Sequence, residues 1–203
     1  MHDSALQLEP KIMPMLATSY FCRQKSFDDI ITEFGKFHIK MSYDAKRILF
    51  NAYHMLKGQP KNTYTQECNG LILEIGTWRP LVVPPRSLRF NIDTDKANQF
   101  LHQSMYTIYE AQDGTLINLY YWQSNWVIST SRGYQMNDVA WDNGQTFQQI
   151  VSSILGTLGL TWQQFTSYLS PSCCYTFGFR HKEIHKFQPK NESPSKIWFV
   201  QSV

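Results

Sequence analysis

No stretch of this chain approaches the roughly 20 consecutive apolar residues that a membrane-spanning helix needs. The N-terminus also lacks a basic segment followed by an apolar one, so the sequence predicts neither a signal peptide nor a membrane partner. Charged residues are only 17% of the 203 residues, and hydrophobic residues are 42%, a balance that excludes wholesale disorder. The length supports one large domain with a substantial core.

Cysteine is scarce. The four cysteines, Cys22, Cys68, Cys173 and Cys174, do not suggest a disulfide framework in a chain of this length. The sequence therefore predicts an intracellular location, in the cytoplasm or another reducing compartment. A formal net charge of +3 permits a nucleic-acid partner without requiring one.

The N-terminal part of the chain has the pattern of helices. Residues 1–24 contain prolines that break any regular element, and we interpret them as a leader. Ser26 followed by Asp29 is typical of a helix start, and an apolar stripe follows it. A second helix is predicted over residues 43–56. We therefore expect residues 1–66 to form a helical segment packed on the main domain.

Residues 67–203 alternate short apolar strands with helices. Strands are predicted at residues 71–75, 81–83, 106–109, 115–121, 126–130, 175–179 and 197–200, and helices at 94–102, 146–158 and 161–169. A hairpin is expected across residues 122–125. This interleaving predicts an α+β fold with a mostly antiparallel sheet, in which residues 67–203 form one compact unit.

Five segments of this unit carry the residues that suggest a chemistry. In chain order they are Glu67-Cys68-Asn69-Gly70-Leu71-Ile72-Leu73-Glu74, Pro84-Pro85-Arg86-Ser87-Leu88-Arg89-Phe90-Asn91, Tyr109-Glu110-Ala111-Gln112-Asp113-Gly114-Thr115-Leu116-Ile117, Ser129-Thr130-Ser131-Arg132-Gly133 and Tyr175-Thr176-Phe177-Gly178-Phe179. In order and spacing these segments resemble the nucleotidyltransferase domain of the phage-type RNA ligase family, whose members are related to DNA ligases and mRNA capping enzymes. The resemblance covers residues 67–200.

The resemblance implies an antiparallel platform that binds ATP and a ligation in three steps. A lysine in a Lys-x-Asp-Gly motif attacks the α-phosphate and becomes Lys-AMP, AMP passes to an RNA 5′-phosphate, and a 3′-hydroxyl displaces it. Such chemistry needs a neutral lysine, cationic groups around the phosphates and a divalent metal held by carboxylates. ATP and Mg²⁺ are therefore expected cofactors only if this chain is an active ligase.

The chain departs from that pattern where the chemistry takes place. The lysine position is Ala111, which has no nucleophile, although Asp113 and Gly114 of the motif remain. The arginine that the family carries in the first segment is Asn69. The glutamate expected between the last two phenylalanines is Gly178. A site with these losses is typical of a domain that no longer catalyses the reaction.

The second segment also differs, since the lysine expected before Phe-Asn aligns with Leu88. The nucleotide- or RNA-binding residues that the resemblance indicates in this chain are Glu67, Asn69, Arg86, Arg89, Asp113, Gly114, Arg132 and Gly178. No catalytic residue and no metal ligand is predicted.

A basic run follows the last segment and is either a contact surface for an RNA backbone or a solvated face. Its members are Arg180, His181, Lys182, His185, Lys186 and Lys190. We add Arg180, Lys182 and Lys186 to the candidate binding residues. His181 and His185 have a spacing that could bind zinc on a helix, but no third ligand is near them in the sequence, so we interpret them as part of a solvated loop. Cys173 and Cys174 are interpreted as packing residues.

The predicted hairpin carries an aromatic band, which either stacks nucleobases or contributes rings to the core. Its members are Tyr120, Tyr121, Trp122 and Trp126.

Three functions stay open at the level of sequence. The first is a non-catalytic, RNA-ligase-like module that binds RNA ends or nucleotide, or that serves as a subunit of a larger assembly with protein partners. The second is a true ATP-dependent RNA ligase whose lysine has been replaced by Ala111. The third is a protein-interaction scaffold in which the old pocket is filled.

Overall fold

The computed structural model describes residues 16–52, 63–85, 114–141, 144–181 and 195–203. The helices in these ranges are α1 (Ala17–Arg23), α2 (Phe27–Lys36), α3 (Thr63–Glu67), α4 (Phe147–Thr157) and α5 (Trp162–Ser167). The strands are β1 (Lys40–Tyr43), β2 (Arg47–Asn51), β3 (Asn69–Glu74), β4 (Pro80–Val82), β5 (Thr115–Trp122), β6 (Asn125–Ser129), β7 (Tyr175–Arg180) and β8 (Lys196–Ser202). The predicted α+β class is confirmed.

The strands form two four-stranded antiparallel sheets. Sheet A has the order β1-β2-β3-β4, and sheet B has the order β6-β5-β7-β8. Strands β5 and β6 form the expected hairpin, whose turn residues Gln123 and Ser124 both have positive φ angles, 47° and 65°. Positive φ at both central residues is the signature of the two-residue turn that suits the right-handed twist of paired strands.

Alternating side chains divide sheet A between two cores. Ile48 and Leu71 point to one face, where they pack with Ile30 and Phe34 of α2. On the other face, Ile72 belongs to a cluster that also includes residues of sheet B. Because both faces of sheet A are covered, β2 is buried over its whole length and β3 in its four middle residues.

Sheet B is arranged in the same way. Ile117 and Phe179 on one face pack against Ile150 and Ile154 of α4. Tyr120 on the opposite face packs with the residues of sheet A. The described part of the chain is thus layered helix, sheet, sheet, helix, and the two sheets meet face to face.

Helix starts follow the sequence closely. Ser26 accepts a hydrogen bond from the backbone N–H of Asp29 and caps α2. Thr146 and Thr161 each form a complete capping box with the glutamine three residues later, at the starts of α4 and α5. These caps satisfy backbone N–H groups that a helix cannot satisfy internally. Because each cap uses residues three positions apart, the helix starts can be predicted from the sequence.

The helix predicted over residues 43–56 is wrong. β1 ends at Tyr43, and β2 occupies Arg47–Asn51, with all five of its residues buried. A strand covered on both faces has no alternation of apolar and polar residues, and a short apolar run of this kind resembles a buried helix. The expectation that residues 1–24 lack regular structure also fails in its last part, because α1 lies there.

Strand pairing in sheet A crosses the predicted domain boundary at residue 66. β2 lies before that boundary and pairs with β3 after it, from Arg47 opposite Glu74 to Asn51 opposite Asn69. The N-terminal segment therefore supplies two strands to sheet A, and its separation from residues 67–203 stays a prediction.

The helix predicted at residues 94–102 and the strand at 106–109 lie outside the described residues. None of the described helices has the length and hydropathy that crossing a bilayer requires.

A buried arginine joins the two sheets. The guanidinium of Arg47 donates to one carboxylate oxygen of Asp44 through Nε (3.0 Å) and Nη2 (2.7 Å), and to the hydroxyl of Tyr120 in β5 through Nη1 (2.9 Å). It also lies over the rings of Trp122 and Tyr134, at 5.4 and 4.8 Å from their centroids. Such planar, multidentate and ring-stacked contacts suit arginine and not lysine.

Replacement of Arg47 by alanine is expected to lower the free energy of unfolding by about 3 kcal/mol, because it leaves a half-buried carboxylate and a buried hydroxyl without their donor. Arg47→Lys keeps the charge but loses the planar guanidinium and its several N–H donors. It should recover less than half of the lost free energy of unfolding. Urea denaturation monitored by circular dichroism measures both variants. A loss below ~1 kcal/mol for Arg47→Ala would contradict this role.

Candidate functional site

The strand register brings several predicted site residues to one end of sheet B. β5 begins at Thr115, which pairs with Phe179 near the end of β7, and β6 ends at Ser129, which pairs with Asn118. The residues just before β5, just after β6 and at the end of β7 therefore share an end of the sheet. This end, called the β5 entrance below, carries Gly114, Arg132, Gly178 and Arg180.

Asn69 reaches the same region through a close backbone approach. Gly70 follows it in β3 with a φ of +104°, and a Cβ there would lie 3.1 Å from the Cα of Ser131, next to exposed Arg132. The carbonyl Oδ1 of Asn69 is buried and has no hydrogen-bond partner. The family resemblance places a cationic arginine at this position, and the structure has a neutral amide with an unsatisfied acceptor.

Glu67 is engaged by the first turn of α1. Its carboxylate accepts hydrogen bonds from the backbone N–H of Ala17 (3.2 Å), the backbone N–H of Thr18 (2.9 Å) and the hydroxyl of Thr18 (2.8 Å). The helix has no side-chain cap of its own at Leu16. A carboxylate at this end satisfies orphan N–H groups and suits the helix dipole. Its predicted part in nucleotide or RNA binding stays a prediction.

Gly178 and Gly114 lie beneath the indole ring of Trp198. Trp198 in β8 pairs with Gly178, and a Cβ on Gly178 would overlap the indole atoms Nε1, Cε2 and Cζ2. A Cβ on Gly114 would lie 2.5 Å from Cη2 of the same ring and 2.6 Å from the carbonyl oxygen of Phe179. One edge of the indole therefore occupies the space in which a side chain at position 178 would begin.

The basic run begins in the interior. Arg180 and His181 are only 2% and 4% exposed, so these two residues do not belong to a solvated face. This result differs from the expectation of an RNA-contact surface or a solvated face over the whole run, because β7 extends to Arg180 and its last five residues are buried. Lys182, His185, Lys186 and Lys190 lie outside the described residues, and so do Arg86, Leu88, Arg89, Ala111 and Asp113.

The described residues do not fit a metal–nucleotide complex held by carboxylates. Within the described ranges, no group of three or more histidine, cysteine, aspartate or glutamate side chains is placed to hold a metal ion. The position of the expected glutamate is Gly178, whose side-chain space is taken by Trp198. Glu67, the glutamate among the predicted binding residues, already accepts three hydrogen bonds.

The three buried cysteines, Cys22, Cys68 and Cys174, are not poised for nucleophilic chemistry. Burial raises the pKa of Cys22 to about 12 and that of Cys174 to about 12, and it also raises the pKa of Cys68. A thiol with such a pKa stays protonated at neutral pH and is a poor nucleophile. Cys174 packs in the cluster between the sheets, in agreement with its interpretation as a packing residue.

The aromatic band of the hairpin is divided between the two faces of sheet B. Tyr120 is 1% exposed, and burial raises its pKa to about 12, while its hydroxyl donates to the backbone oxygen of Tyr134. Trp122 lies on the same face against Arg47. Sequence reasoning did not identify Trp198, because its position over the glycines depends on the pairing of β7 with β8 and on no local pattern.

Two comparisons place the chain among known proteins. Over 177 residues it is 31% identical to a protein named "Putative RNA-ligase" from a tick isolate of African swine fever virus from South Africa, covering 79% of this chain and 38% of that protein. A protein of the same name from a Kenyan pig isolate is 29% identical over 195 residues, covering 88% and 42%. The chain spans less than half the length of these relatives. No protein-family model matches it.

The two glycines beneath Trp198 should differ in their tolerance of a methyl group. Gly114→Ala places a Cβ against a backbone carbonyl that pairing holds in place, and should lower the free energy of unfolding by about 2 kcal/mol. Gly178→Ala meets only the side chain of Trp198, which can be displaced without moving the backbone, and should cost less than half as much. Thermal melting of both variants tests this order, and an equal or reversed order would refute it.

Proposed function

Since the chain is similar over 79% of its length to a viral protein named as an RNA ligase, we propose that it is an RNA-ligase-like nucleotidyltransferase domain without the lysine nucleophile. In this proposal it binds RNA ends or nucleotide without joining them. The observation that carries the proposal is the indole of Trp198 in the side-chain space of Gly178.

The position of this ring bears directly on metal binding. A ligase needs a carboxylate near the phosphates because a divalent cation must stabilise the charge that develops there. Glutamate at position 178 would require the indole to leave its place, since its Cβ alone overlaps three ring atoms. Position 178 lacks the expected glutamate, and the indole of Trp198 fills the space that its side chain would need. A single substitution in an otherwise intact site would leave that space empty.

Asparagine in place of arginine at position 69 should also weaken the binding of phosphate. An arginine offers up to five N–H donors and a full charge to phosphate, whereas an amide offers two donors and no charge. The Oδ1 of Asn69 is moreover an acceptor, which cannot donate to a phosphate oxygen, and it is buried. Binding of a triphosphate should therefore be weak even where the pocket shape is retained.

Positive charge for an RNA backbone remains in the chain. Arg132 is exposed at the β5 entrance, and Lys196 begins β8 at the same end of sheet B. Arg86, Arg89, Lys182 and Lys186 are further predicted contacts. Backbone contacts of this kind need no metal and no catalytic group. A protein partner in a larger assembly stays a prediction beside them.

Incubation with labelled ATP and magnesium should give no protein–AMP adduct that survives denaturation, because Ala111 has no amine. Ala111→Lys alone should also give none, since Asn69 and the Trp198–Gly178 contact remain. Ala111→Arg, with similar size and charge but no competent nucleophile, is the matched control. If Ala111→Lys regains rapid labelling that Ala111→Arg lacks, the chain is an active ligase with a substituted lysine.

Calorimetry should show ATP binding at least ~100-fold weaker than the low micromolar range, because two charge-assisted phosphate contacts worth about 1.5–3 kcal/mol each are missing. Asn69→Arg restores one of these contacts and should strengthen binding measurably, whereas Asn51→Arg, at the opposing position in β2, should not. Low-micromolar binding of ATP by the unmodified chain would contradict the proposal. Absence of binding to both ATP and RNA would favour the scaffold.

A further inference from the structure

The β5 entrance carries an open apolar strip that the proposed function does not by itself explain. Leu116, Gly178 and Trp198 lie side by side on three neighbouring strands of sheet B. Leu116 is 47% exposed, and Trp198 is half-buried. Farther along the same face of β5, Tyr120 is covered by residues of sheet A. Leu116, nearer the β5 entrance, is exposed on that face.

Trp198 is held in a defined position within this strip. The edge of its ring that contains Nε1, Cζ2 and Cη2 occupies the space left by two missing side chains, at Gly178 and Gly114. An aromatic ring fixed in this way loses little conformational freedom when a planar ligand packs on it. The protein thus presents a pre-positioned indole at a solvent-accessible end of the sheet.

A cation accompanies the ring. The ammonium group of Lys196 lies over the indole at 5.6 Å from its centroid, two residues earlier on the same strand. An indole with a lysine side chain in reach of its ring offers one group for each of the two parts of a nucleotide, the base and the phosphate. An apolar peptide would satisfy the indole and Leu116 but not the lysine, and the chain carries a net charge of +3 that favours a polyanion.

We infer that Trp198 and Lys196 bind one nucleotide of single-stranded RNA: the ammonium group moves from its place over the ring to the phosphate, and the base packs against the indole. The inference rests on the proposed function, which supplies RNA as the partner, and deepens it by naming the residues that hold the strand. Stacking on an aromatic ring is available to every base, so binding at this position is independent of base identity. Duplex RNA, whose bases are stacked on each other, does not fit.

The test is a titration of the chain with single-stranded RNA that carries 2-aminopurine, whose fluorescence is quenched when it stacks on an indole. Trp198→Ala should weaken binding by roughly 10-fold and abolish the quenching. Trp198→Phe retains a ring and should keep most of the affinity. Trp162→Ala, which removes a half-buried indole packed with α4 on the other face of sheet B, is the matched control and should leave both readouts unchanged.

Lys196→Ala should reduce the slope of log affinity on log salt by about 0.7, the value for one phosphate contact to a single strand. Thermal melting verifies that each variant is folded. RNA binding that is the same in the unmodified chain and in folded Trp198→Ala would overturn this inference and leave the proposed function standing. No RNA binding by the unmodified chain would overturn both. Preference for duplex RNA would also refute the stacking site.

Discussion

The arrangement of the two sheets depends on the buried guanidinium of Arg47. Its position in β2 puts it on the face of sheet A that meets sheet B, where it donates to Tyr120 in β5 and to Gln135 beyond β6. Burial alone would lower the pKa of Arg47, but the hydrogen bond to Asp44 and the contacts with Tyr120 outweigh burial and raise it. A buried charge tolerates little displacement of its partners, so this cluster fixes how the sheets face each other.

The geometry of the β5 entrance depends on the contact of Arg47 with Tyr120. Once β2 and β5 are joined at Arg47, the close approach of Gly70 to Ser131 follows at the other end of the interface, and Asn69 comes beside Arg132. Asp44 contributes at the periphery: burial would raise its pKa, but donors from the backbone of Lys46 and from Arg47 lower it below its ordinary value. The charged pair therefore remains ionised at neutral pH.

Sequence patterns predicted those elements whose causes are local. The caps at Ser26, Thr146 and Thr161 depend on residues three positions apart, and the β5–β6 hairpin depends on a short turn. β2 was missed because both of its faces are buried, which removes the alternation that marks a strand. α1 was missed because its cap is Glu67, about 50 residues away along the chain, and no local pattern signals such a partner.

The candidate site divides along the same line. The motifs singled out Gly114, Arg132, Gly178 and Arg180, but that these residues share the β5 entrance, that Arg180 is buried and that Trp198 lies over the glycines all follow from strand pairing. Gly114 illustrates why a surviving motif residue is weak evidence for chemistry. A Cβ there would meet the backbone of Phe179, so glycine is required by packing whether or not a nucleotide binds beside it. The retained glycine of the motif therefore reflects the packing of this fold and is not by itself evidence of the reaction.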